Sequence, residues 1–64
     1  MVITKKYFTD FEEPGLQLSV TKSKESNYIT FTCLYKDSVE SEMELSQDDV
    51  KELINELNNL ISNG

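Results

Sequence analysis

From residue 50 onward the apolar side chains fall on a single stripe. Val50, Leu53, Ile54, Leu57, Leu60 and Ile61 stand at i, i+3, i+4, i+7, i+10 and i+11. An α-helix brings that spacing onto one face, and a strand does not. Ser46 is placed to cap the helix start, and Asp49 three residues later completes a capping-box pattern. Leu45, just before the cap, is placed to staple onto Val50. Asp48 and Asp49 complement the positive end of the helix dipole, and Asn63-Gly64 supplies a stop. These signals predict a helix over 47–62, about 24 Å long at the α-helical rise. It is the one element available to cover whatever the rest of the chain builds.

Upstream of it the pattern has period two. Leu16-Gln17-Leu18-Ser19-Val20-Thr21 alternates apolar with polar. Tyr28 to Tyr35 is rich in β-branched and aromatic residues, with Ile29, Phe31, Cys33 and Tyr35 on one face and Tyr28, Thr30, Thr32 and Leu34 on the other. Val39, Ser41, Met43 and Leu45 alternate with Glu40, Glu42 and Glu44. Turn chemistry separates these runs at Pro14-Gly15, across residues 22–27, and at Lys36-Asp37-Ser38. Residues 2–8 have two readings. They form a further strand, or Tyr7, Phe8 and Phe11 share a short helical turn before Pro14; the β-favouring composition of Val2, Ile3, Thr4, Tyr7 and Phe8 prefers the strand. Short connections pair neighbouring strands as an antiparallel meander. Leu16, Leu18, Val20, Ile29, Phe31, Cys33, Met43 and Leu45 then make an inner face. Strands of about six residues span roughly 20 Å, which matches the helix. The expected fold is α+β: a two-layer sandwich in which an antiparallel meander of three or four strands packs against one C-terminal amphipathic helix, in the order ββββα or βββα. Residues 1–64 form one small domain.

A domain this small has little to spare. Ordering 64 residues costs on the order of 100 kcal/mol, and apolar burial only just offsets it. Covalent staples are excluded, since Cys33 is the one cysteine and histidine is absent, which removes an internal disulfide and a closed zinc site. Self-association remains, and a homodimer is expected on that ground. The N-terminal residues lack the apolar core of a signal peptide, and no apolar run approaches the length of a membrane span. A lone cysteine fits a reducing compartment, so a cytoplasmic location is expected.

Most catalytic chemistry is missing from the inventory. No imidazole base exists. Cys33 lies among inward-facing apolar residues and reads as a small hydrophobe, not as an activated thiolate. Paired carboxylates need a cleft that desolvates one of them, and one sheet with one helix offers none. The two glycines, Gly15 and Gly64, make no phosphate-cradling loop. Asp48, Asp49 and Glu52 lack the 12-residue calcium loop and read as charges complementing the helix dipole. The chain is read as no enzyme, with no cofactor and no metal.

Charge is the remaining signal, and it is uneven. Residues 1–36 hold five lysines against four carboxylates, whereas residues 37–64 hold one lysine against eight, for a net charge of −6. Glu40, Glu42 and Glu44 point one way on a strand, about 7 Å apart. Asp48, Glu52 and Glu56 make an i, i+4, i+8 row on the helix, at about 6 Å spacing. Such rows keep an edge soluble and deter strand pairing. They also present the charge of a phosphate backbone to a basic groove on another protein. The functional expectation is a small acidic protein-binding module, an inhibitor or modulator of the DNA-mimic kind, that uses these six residues against a basic partner surface. Two alternatives stand beside it. One is a structural homo-oligomer without a small-molecule site, joined through sheet edges or through Tyr28, Thr30 and Leu34. The other is a weak nucleic-acid binder through Lys5, Lys6, Lys22 and Lys24, which the net charge and the absence of arginine disfavour. In size, acidity and lack of catalytic groups the chain resembles the small accessory proteins of phages and mobile elements, a likeness that no motif carries.

Overall fold

The computed structural model describes residues 2–63 except residue 24, with side chains for residues 5–22 and 25–63. Four strands and one helix follow in order: β1 Val2–Thr9, β2 Leu16–Ser23, β3 Tyr28–Tyr35, β4 Ser38–Ser46 and α1 Gln47–Asn63. The strands form one antiparallel sheet in the order β1-β2-β3-β4. This is the α+β arrangement in its ββββα form. Residues 2–8 belong to a strand and not to a helical turn, because their backbone pairs along β2, with Lys6 opposite Val20 and Phe8 opposite Leu18.

The turns explain the order. Asp10 closes the β1–β2 connection: its Oδ2 accepts from the Glu12 and Glu13 amides at 3.0 and 2.8 Å, the side-chain mimicry of a turn that favours aspartate here. The Glu13 carbonyl accepts from the Leu16 amide at 2.9 Å, and the Gly15 carbonyl accepts from the Lys36 amide at 2.8 Å, tying this loop to the β3–β4 turn. Lys36 and Asp37 carry φ of 49° and 69°. Two consecutive positive φ values make a two-residue turn whose twist matches a hairpin, with Tyr35 opposite Ser38 and Leu34 opposite Val39.

That turn alone would set Cys33 opposite Glu40 and place the glutamates of β4 on the inner face. Instead the register shifts between Cys33 and Leu34, and Cys33 stands opposite Ser41. Glu40 is the extra residue of a β-bulge. The bulge reconciles the turn with the hydrophobic pattern: Ser41, Met43 and Leu45 reach the inner face opposite Cys33, Phe31 and Ile29. Val39, expected on the inner face with them, pairs instead with Leu34 on the outer one.

The helix forms where its signals placed it. The Asp49 amide donates to Ser46 Oγ at 3.2 Å, which is the expected cap. Its cover of the sheet is partial. Among the described residues α1 touches β3 and β4 but neither β1 nor β2. Val50 and Leu53 are half-buried, whereas Ile54, Leu57, Leu60 and Ile61 are exposed, Ile61 by 78%. The inner face is open to match, with Phe8, Leu18 and Met43 exposed and no described apolar side chain fully buried. The radius of gyration is 13.1 Å, against about 11 Å for a compact domain of this length.

Candidate protein-binding surfaces

The six carboxylates singled out above are all exposed. All six belong to the last two elements of the chain. Glu40, Glu42 and Glu44 stand on β4, an edge strand, and Asp48, Glu52 and Glu56 on α1, which continues directly from it and touches β3 and β4. The strand row is not continuous. Glu42 and Glu44 stand on the outer face opposite Thr32 and Thr30, and the Thr32 hydroxyl donates to Glu42 Oε2 at 3.2 Å. Glu40 is displaced from that row by the bulge, which alternation alone does not reveal. On the helix Asp48, Glu52 and Glu56 keep their regular spacing. Asp48 borders a shallow polar hollow with Asn27, Tyr28, Ser46 and Gln47.

The lysines are dispersed. Lys5 and Lys6 lie on β1, the opposite edge, and being adjacent in a strand they face opposite ways. Lys5 Nζ lies 5.5 Å from the centre of the Tyr7 ring on the outer face, a cation–π separation, while Lys6 is in register with Val20 on the inner face. Lys22 is half-buried on β2. Lys24, the fourth member of the suggested basic set, lies outside the described residues. Tyr28, an aromatic side chain on which a base could stack, is exposed on β3, two strands away from Lys5. These positions form no single basic track.

Two features stand outside the charge pattern. The first is the uncovered inner face, where Phe8, Leu16, Leu18 and Cys33 line one shallow hollow and Leu18, Phe31, Cys33 and Met43 border a second. Apart from Phe8, the sequence marks these residues as the inner face, and its period-two pattern shows which face they share but not whether anything lies over them. The second is Phe11, at the tip of the β1–β2 loop and 93% exposed. Small hydroxyl residues fill the centre of the outer face, where Ser19 is 4% exposed and Thr32 9%. No cluster of three or more carboxylate or thiol groups suited to a metal ion occurs among the described residues. No described helix is long and apolar enough to cross a membrane.

No protein-family model, curated protein or solved structure matches this chain. The surfaces themselves therefore carry the functional reading.

Proposed function

We propose that the protein is a non-catalytic binding module of the cytosol that sets its acidic β4–α1 edge against a basic surface on another protein, as an inhibitor or modulator of that partner. One observation carries the reading: six exposed carboxylates sit on the edge strand β4 and on the helix that continues from it, with Lys5 and Lys6 on the far edge strand. Opposed charge at the two edges gives the molecule an orientation in the field of a basic partner, which speeds productive encounter. A groove that binds nucleic acid has the required sign of charge.

The test is affinity capture with wild type beside a variant carrying Glu40→Gln, Glu42→Gln, Glu44→Gln, Asp48→Asn, Glu52→Gln and Glu56→Gln, at low and high salt. The expected result is a protein retained by wild type, released as salt rises, and lost by the variant. Kinetic measurement on the purified pair should put the loss mainly in the association rate, by about tenfold or more. A partner held equally by both chains, at any ionic strength, refutes the reading.

A further inference from the structure

The helix presents an apolar stripe that its own sheet does not meet, and the sheet presents an apolar face that its own helix does not cover. Ile54, Leu57, Leu60 and Ile61 are exposed on one, and Phe8, Leu18 and Met43 on the other. We propose that a second copy of this chain supplies both missing covers, in a symmetric dimer where α1 of each protomer lies across the inner face of its partner's sheet. This surface shares Glu56 with the acidic set on α1, but the two readings are tested apart, since the dimer is probed by apolar substitutions that leave all six carboxylates in place.

Area supports a second copy. A compact chain of 7.4 kDa exposes about 4,200 Å². This one exposes 5270 Å², an excess of about 1,100 Å² by that scaling. A standard interface buries about 800 Å² on each partner, and obligate homodimers bury more. The excess is therefore what one half of a stable, permanent dimer leaves open when described alone.

Shape and charge agree with the area. The 17-residue helix is about 25 Å long, and strands of 8 or 9 residues run to about 27–30 Å. One helix thus spans one sheet lengthwise. The inner face is rimmed by cations at the β1–β2 side, where Lys6 and Lys22 share the side of Leu18 and Val20 by register. On the helix, Asp49 and Glu56 flank the apolar stripe at helical spacing. A partner's α1 laid over β1 and β2 brings carboxylates to those lysines. The same helix laid over β3 and β4 meets the acidic edge. A two-fold axis makes the exchange reciprocal, so each copy both gives and receives a helix and the assembly closes at two.

Sedimentation equilibrium from about 1 to 200 µM tests the proposal, with Leu57→Glu/Ile61→Glu as the helix variant and Leu18→Glu as the sheet variant. Wild type is expected at about 15 kDa, twice the chain mass. Each variant alone is expected at the monomer mass over the whole range. An equimolar mixture of the two is expected to regain dimer, because the intact helix of the sheet variant meets the intact sheet of the helix variant and restores one of the two contacts. Alkylation of Cys33, half-exposed on the inner face, should be slow in wild type and fast in both variants. Three results overturn the proposal: wild type monomeric at 200 µM, a dimer whose mass neither variant changes, or a mixture with no more dimer than its components.

Discussion

Ser46→Ala is expected to lower stability by about 1 kcal/mol and to act first on the helix. The Ser46 hydroxyl accepts from the Asp49 amide at 3.2 Å, satisfying one of the four donors that a helix start leaves without partners. Alanine removes that acceptor. Substitutions of this kind cost roughly 0.5–2 kcal/mol. A value near the middle is expected, because the site is half-buried and water replaces only part of the lost contact. In a domain of this size 1 kcal/mol lowers Tm by about 4–8 °C. The effect is sharper here than in a well-covered helix. Most helices in proteins draw their stability from packing, whereas in this one Val50 and Leu53 are half-buried and the remaining apolar positions are exposed. Local signals therefore carry more of the burden. The assay is thermal melting by circular dichroism at 222 nm, at one fixed protein concentration so that any association is held constant. Ser46→Gly should cost only a few tenths of a kcal/mol, and Ser46→Asp should recover the cap. If Ser46→Ala melts with wild type, or if Ser46→Asp is as damaging as alanine, the capping argument fails.

Two further outcomes follow from the sheet. Thr21 Oγ1 is buried without a hydrogen-bond partner among the described residues, so Thr21→Val, which keeps the branched shape and removes the hydroxyl, should raise stability by about 1 kcal/mol in urea melts; a loss of that size instead would mean that the hydroxyl is satisfied. Asp37 holds φ of 69° in the β3–β4 turn, so Asp37→Gly should raise Tm by a few degrees, the relief of left-handed strain of about 1 kcal/mol exceeding the entropy that glycine adds to the unfolded chain; an unchanged or lower Tm refutes this.

Much of the architecture can be read from local pattern. The stripe from Val50 to Ile61 and the cap at Ser46 give a helix over 47–62, and the structure has Gln47–Asn63. Alternation locates β2, β3 and β4 because period-two burial is written residue by residue. Two things were not legible, and each has a physical cause. The bulge at Glu40 follows from how turn length and strand register combine, and Lys36-Asp37-Ser38 is compatible with either a two-residue or a three-residue connection. A three-residue loop would have given the expected continuous row of Glu40, Glu42 and Glu44. The partial cover of the sheet escaped for a different reason: matching lengths show that a helix fits a sheet, but the direction in which α1 leaves Ser46 is a long-range property that no spacing encodes. The six carboxylates could be named as a set from charge alone. That β4, which carries three of them, is an edge strand needed the sheet order.

The bulge also sets which changes of length β4 can absorb. Removal of Glu40 leaves a regular hairpin, with Cys33 still opposite Ser41 and Met43 still inward. Loss of a single residue further along, at Glu42 for example, also removes the bulge and keeps Leu45 inward, but it turns Glu40 to the inner face opposite Cys33. A shorter chain of this kind is therefore better tolerated at position 40 than between Ser41 and Leu45. The irregular residue is where the strand keeps its slack.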